Sequence, residues 1–98
     1  MSTPESRVKT KINKVLDKYK GRIYKYMPVP GGFGAPTLDY LGCFRGLFFA
    51  IEAKAPGKEP TPRQEGTIDT MHGARGRVFV IDGDTSELEK WLEEVDNA

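Results

Sequence analysis

One cysteine, one histidine and no long apolar run are found in the 98 residues of this chain. Each shortage excludes something. Cys43 alone cannot close a disulfide within the chain, which fits a reducing compartment. Its place inside an apolar, strand-like run predicts a small buried hydrophobe rather than a reactive thiol. One Cys and one His leave no cluster for zinc. His72 falls at the expected end of a helix, where its cation suits the helix dipole, and no nucleophile pairs with it, so no Ser-His-Asp set can be argued. No Walker-type phosphate loop is present. No stretch approaches the ~20 apolar residues of a membrane span. The first twenty residues are charged throughout and lack the apolar core of a signal peptide. The expectation is a soluble cytoplasmic protein with no membrane partner. Internal repeats and low-complexity tracts are missing as well, which predicts a single domain over 1–98.

A chain this short buries only about 60–65% of its unfolded surface, and its apolar fraction is a low 38%. A homodimer that adds buried surface fits this composition, which does not by itself require one. The net charge of +1 hides a split. Residues 1–30 carry eight Lys/Arg against two acids, and residues 65–98 carry three against nine. The basic third suits a phosphate backbone, with Lys11, Lys14 and Lys18 as candidate DNA contacts. An ordinary solvated helix face is the alternative for those lysines.

Along the chain, Ser2-Thr3-Pro4-Glu5 reads as a helix start, with Ser2 or Thr3 as the cap and Glu5 completing a capping box. Val8, Ile12, Val15, Leu16 and Tyr19 follow at helical period up to Gly21. Arg22 to Val29 reads as a strand. Residues 30–36, Pro-Gly-Gly-Phe-Gly-Ala-Pro, form a loop. Its glycines, Gly32 among them, allow a backbone to approach phosphates, and a plain flexible connection is the alternative.

Thr37 to Cys43 and Leu47 to Lys54 predict an antiparallel hairpin joined by a tight Phe44-Arg45-Gly46 connection. Both faces of the second strand are apolar almost to its end, which predicts a central strand covered on both sides. The loop Ala55–Pro60 follows, with Lys58 as a further candidate phosphate contact. Thr61-Pro62-Arg63-Gln64 opens a second helix as a complete capping box, with Ile68 and Met71 as its apolar face. Val78 to Ile81 is a short buried strand. Ser86 and Glu89 are expected to cap a last helix with Leu88, Trp91, Leu92 and Val95 inward. The order α-β-β-β-α-β-α predicts an α/β sandwich on a mixed sheet, and the crossover through the second helix makes its two flanking strands parallel.

The chemistry gathers at one strand end. Glu52 and Lys54, at i and i+2, point the same way about 7 Å apart. The hairpin brings Asp39 beside them. Two carboxylates and a lysine at the end of an apolar strand are costly unless they serve something. A divalent cation on oxygen ligands, with the lysine handling a water, fits that set.

The phrases G-A-P-T-L-D, R-G-L-F-F-A-I-E-A-K-A-P-G-K and P-T-P-R-Q, over residues 34 to 64, resemble the VRR-NUC domain of the PD-(D/E)XK nuclease superfamily, in the stand-alone type found in phages. Leu38 stands where that family usually has proline; the carboxylate of Asp39 is kept. The resemblance implies a restriction-endonuclease-like fold and a metal-dependent deoxyribonuclease using Mg2+ or Mn2+. Asp39, Glu52, Lys54 and Gln64 become the catalytic residues. Asp39, Glu52, the backbone carbonyl of Ala53 and Glu5 become the metal ligands, although Glu5 also reads as a plain cap residue and Gln64 as a cap and nothing more. It further implies cleavage of branched DNA such as Holliday junctions, in the host cytoplasm for a phage protein. A homodimer is expected because one site per protomer cannot cut both strands of a two-fold junction in a coordinated way. The rival readings are a non-enzymatic nucleic-acid binder on the same fold, a monomer nicking flaps or single strands, and an interaction protein with a fortuitous Glu-x-Lys.

Overall fold

Helix α1, Pro4–Asp17, begins where Thr3 caps it and Pro4 enters its first turn. In the computed structural model, which describes residues 2–29 and 34–98, Ser6 closes the capping box in place of Glu5: Thr3 Oγ1 accepts from the Ser6 amide at 3.0 Å and Ser6 Oγ accepts from the Thr3 amide at 2.8 Å. Glu5 is thereby released from capping. The helix stops at Asp17, one turn before Gly21, yet Tyr19 still packs edge-on against Phe44 with ring centroids 5.3 Å apart.

Strand β1 is Ile23–Tyr26, β2 Tyr40–Phe44, β3 Leu47–Ala53 and β4 Arg77–Ile81, with α2, Pro62–Gly73, between β3 and β4 and α3, Ser86–Asp96, at the end. The expected element order holds; β1 is shorter than its apolar run, which prolines end. Strand β2 starts three residues later than expected, where the Asp39 amide turns to the Glu52 side chain, and runs one residue further, to Phe44. The sheet order is β1-β2-β3-β4, antiparallel except for the parallel β3–β4 pair that the helical crossover produces. Arg45 and Gly46 take positive φ values of 52° and 82° in the two-residue connection between Phe44 and Leu47. Such a turn matches the twist of a hairpin and fixes its register, Tyr40 opposite Ile51. Extending that register by one residue places Asp39 opposite Glu52.

Alternation along β3 sorts its side chains between two layers. Phe49, Ile51 and Ala53 meet α1 and α3 through Ile12, Leu16, Leu88 and Leu92. Ala50 faces the other way, with Leu38 and Val78, against Ile68 and Met71 of α2. Glu52 shares the face of Ala50 and so looks toward α2. The strand is central, as expected, but Leu47 at its start is exposed, and so is Phe48 on the opposite face, because α2 covers only the second half of that face. Cys43 points to the same uncovered region and is exposed, not buried as its neighbours suggest. In α3 the cap is Thr85 rather than Ser86; Asp84 Oδ1 accepts from the Ser86 amide at 2.9 Å, and the Thr85 hydroxyl donates to Glu89. No helix among the described residues is long and apolar enough to cross a membrane.

One glycine holds the sheet against its core. A Cβ on Gly42 would enter the Phe49 ring and lie 2.7 Å from the Tyr24 carbonyl oxygen of the neighbouring strand. Gly42→Ala is expected to cost about 1–3 kcal/mol of overpacking strain, read as a lowered urea midpoint with an unchanged slope. An unchanged midpoint would mean that β1 can move aside freely.

Candidate active site

The site forms where the hairpin ladder runs out. Asp39 and Glu52 lie opposite each other just beyond the last ladder pair, and each carboxylate takes the other strand's free amide. Asp39 N–H donates to Glu52 Oε1 at 3.2 Å, and Ala53 N–H donates to Asp39 Oδ2 at 2.8 Å. The backbone groups that a sheet end leaves unpaired thus fix both acids in orientation. Lys54 follows. Its amide continues the sheet by donating to the Ile81 carbonyl at 2.9 Å, and its ammonium stands 3.7 Å from Glu52 Oε2.

Gln64 arrives from the α2 layer and does two jobs with one amide. Its Oε1 accepts from the Thr61 amide at 2.9 Å, completing the capping box, and its Nε2 donates to Glu52 Oε2 at 2.7 Å. One side chain thus closes the capping box and contacts the Glu52 carboxylate. The α1 layer contributes differently. Tyr40 is fully buried, and its hydroxyl is shared between Asn13 Oδ1 at 3.1 Å and the Lys9 carbonyl at 3.3 Å. This bond ties the residue after Asp39 to the first helix. Glu5 reaches the cluster only through Lys9, whose ammonium is 3.8 Å from Glu5 Oε2 and 3.6 Å from Asp39 Oδ1.

Glu52 is 4% exposed. Burial, then the Asp39 carboxylate and more weakly Glu5, push its pKa up to about 7, against the pull of Lys54 and the Asp39 amide. Burial and the same Asp39 charge raise the Tyr40 hydroxyl to about 12, so it remains a donor. The acids open on a cleft of about 690 Å³, walled among the described residues by Tyr26, Leu38, Thr61 and Arg63 besides Asp39, Glu52 and Gln64.

A solved structure described as a VRR_NUC domain matches this chain with a TM-score of 0.63 and 24% sequence identity, over 98% of this chain and 94% of that one. The chain has the fold of a VRR-NUC domain. No protein-family model and no curated protein matches it. The VRR-NUC fold here is the restriction-endonuclease-like arrangement of a four-stranded mixed sheet between helices.

Within this VRR-NUC fold, Asp39, Glu52, Lys54 and Gln64 come together at one end of the sheet. Among the described residues, no group of three or more His, Cys, Asp or Glu side chains is gathered as a ready metal site. The residues nonetheless fit a small hard cation. Mg2+ commonly takes only one or two protein carboxylates, with other oxygen donors and water completing its shell. Asp39 and Glu52 are two such carboxylates, and burial followed by the Asp39 charge makes the ionised form of Glu52 costly in the absence of a cation. Lys11, Lys14 and Lys58 are exposed and lie outside the cleft wall. Lys18 pairs with Glu89 at 3.6 Å, and Gly32 lies outside the described residues. Sequence reading missed Lys9 and Arg63. The signal for Lys9 was its place one helical turn after Glu5; that for Arg63 was its place inside the capping box, one residue before Gln64.

Proposed function

We propose that this chain is a metal-dependent DNA endonuclease whose preferred substrate is branched DNA such as a Holliday junction. The observation that carries the reading is the buried Glu52 carboxylate, held by the Asp39 amide and Gln64 with the Lys54 ammonium 3.7 Å away, at the wall of an open cleft. Asp39, Glu52 and the Ala53 carbonyl would hold Mg2+ or Mn2+, with Glu5 as the further acid. Such an ion, when bound, neutralises charge on a phosphoryl oxygen and acidifies water.

The chain's own residues do the rest. Gln64 and the Asp39 amide keep the Glu52 carboxylate in one orientation, so that it need not reorganise during reaction. The Lys54 ammonium orients the attacking water and offsets the negative charge that grows as the bond to the leaving oxygen breaks. Arg63, fixed in the first turn of α2, offers the cleft a guanidinium for a neighbouring phosphate. Incubation of a four-way junction, a flap, a single strand and a linear duplex with Mg2+ or Mn2+ tests the substrate. Paired cuts in the junction are expected. Nicks confined to flaps or single strands would favour the monomer reading.

DNA binding should draw on the exposed lysines of α1. Neutralising Lys11, Lys14 and Lys18 together is expected to weaken binding regardless of sequence and to lower the log–log salt slope by roughly one per lost phosphate contact. Lys18 must leave Glu89 to take part, so Lys18→Ala alone should have the smallest effect of the three. A slope that does not change in the triple variant would place α1 off the DNA.

A symmetric homodimer supplies two sites to a two-fold junction. Strand β1 is an edge of the sheet, with Tyr24, Tyr26, Met27 and Val29 exposed on or beside it. It is our candidate interface; the alternative around Phe33 lies outside the described residues. Sedimentation equilibrium at micromolar concentration should give twice the protomer mass of 10.9 kDa. A mass that stays at one protomer, with one copy bound per junction, removes the dimer and coordinated cutting with it.

A further inference from the structure

Lys9 stands in the site without a part in the mechanism above. Its ammonium lies between two acids from different elements, Glu5 on its own helix and Asp39 on the hairpin. Asp39 Oδ2 is taken by the Ala53 amide, so the oxygen that Lys9 faces is the carboxylate's outward one. The position is built rather than incidental. Helical spacing aligns Glu5 with Lys9, and the hydrogen bond from Tyr40 to the Lys9 carbonyl fastens that turn of α1 beside Asp39. An ammonium among Glu5 and Asp39 supplies positive charge where the metal reading asks for it.

We propose that Lys9 is an internal counter-ion that competes with the divalent cation: its ammonium bridges Asp39 and Glu5 in the metal-free protein and leaves Asp39 Oδ1 when the cation binds. This rests on the metal-dependent reading of the site. A single positive charge and a divalent ion sharing one carboxylate oxygen repel each other, so the two states exclude one another. Departure is easy, because partly exposed ion pairs at these separations contribute little. It also frees Glu5, which in the bridged state is held by Lys9. The consequence is a site whose metal affinity is set lower than its acids alone would give.

The test is Mn2+ binding to the full chain without DNA, followed by the electron paramagnetic resonance signal of free Mn2+. Lys9→Met keeps the aliphatic stem and removes the charge. It is expected to bind Mn2+ more tightly, by up to about tenfold, the scale of the two partly exposed ion pairs that the cation no longer has to break. Lys9→Arg, which keeps a cation, should stay near wild type, and gives a second folded variant if Lys9→Met is poorly behaved. Lys20→Met, an equal change of net charge at an exposed position outside the site, should leave the affinity unchanged. Unchanged or weaker binding by Lys9→Met overturns the proposal, the weaker case making Lys9 an organiser of the acids instead. An equal gain in Lys20→Met also overturns it, as an effect of bulk charge. Wild-type protein that binds no Mn2+ removes the metal reading itself, a result distinguishable from wild-type binding that Lys9→Met leaves untouched.

Discussion

Alanine in place of Lys54 is expected to slow single-turnover DNA cleavage by about 10²–10⁴-fold, the range for a positioned proton-handling or charge-stabilising side chain. The side chain is only 12% exposed and its neighbour is Glu52, so the loss acts at the site and not on the surface. The fold should survive, because the bond from the Lys54 amide to Ile81 belongs to the backbone and remains. Glu52→Ala and Asp39→Asn should also abolish cleavage, by a different route. Asp39→Asn keeps an oxygen able to accept from the Ala53 amide but removes a charge from the cation's set. DNA affinity measured without metal should remain within a few-fold of wild type in all three variants, as expected when phosphate contacts elsewhere dominate binding. Lys54→Ala protein with close to full turnover would remove the proposed role of that residue.

The second large effect is on stability against pH. Glu52 has a pKa of about 7 in the folded protein against an ordinary value of 4.5. Between those two values the folded state holds a proton that the unfolded state has released. Its stabilising contribution is therefore complete below pH 4.5 and is lost as the pH rises to about 7. The metal-free protein should lose on the order of 3 kcal/mol through this group over that window. Urea denaturation in EDTA at pH 4.5, 5.5, 6.5 and 7.5 measures it. The comparison is with Glu52→Gln, whose baseline will shift because an amide meets the Gln64 donor, but whose slope in this window should be shallower by that amount. A divalent cation favours the ionised carboxylate, and Mg2+ or Mn2+ should flatten the wild-type slope. Parallel pH profiles for wild type and Glu52→Gln would show that Glu52 titrates normally.

What the sequence made legible follows from how each interaction is specified. Asp39 and Glu52 were readable as neighbours because a tight connection joins two strand-like runs into an antiparallel hairpin. Their direct opposition was not, because Phe44 pairs with Leu47 and shortens the expected Phe44-Arg45-Gly46 connection by one residue. Lys54 followed from strand alternation alone. The parallel pairing of β3 with β4 followed from the length and hand of the crossover. The capping box alone accounts for Gln64 completely, so its reach toward the acids was legible only through the family resemblance; the packing of α2 over Ala50 and Val78 is what brings its amide nitrogen to Glu52. Glu5 was misplaced as a cap because Ser2 and Thr3 are both competent caps, and choosing Thr3 hands the closing position to Ser6. Cys43 was misplaced because its neighbours are apolar on both sides; how far a helix extends over a sheet face is set by tertiary packing and leaves no local pattern. Lys9 sits on the polar shoulder of α1, and its meeting with Asp39 depends on where that helix crosses the sheet.

The central claim is that the acids at the end of β3, with a divalent cation, cleave DNA. The direct measurement is cleavage of a labelled four-way junction by the wild-type protein in Mg2+ or Mn2+, in EDTA, and in EDTA followed by excess Mg2+. Cleavage is expected with either metal, none in EDTA while the junction remains bound, and recovery when Mg2+ is returned. Cleavage that persists in EDTA, or junction binding with no cleavage under any metal condition, would contradict it.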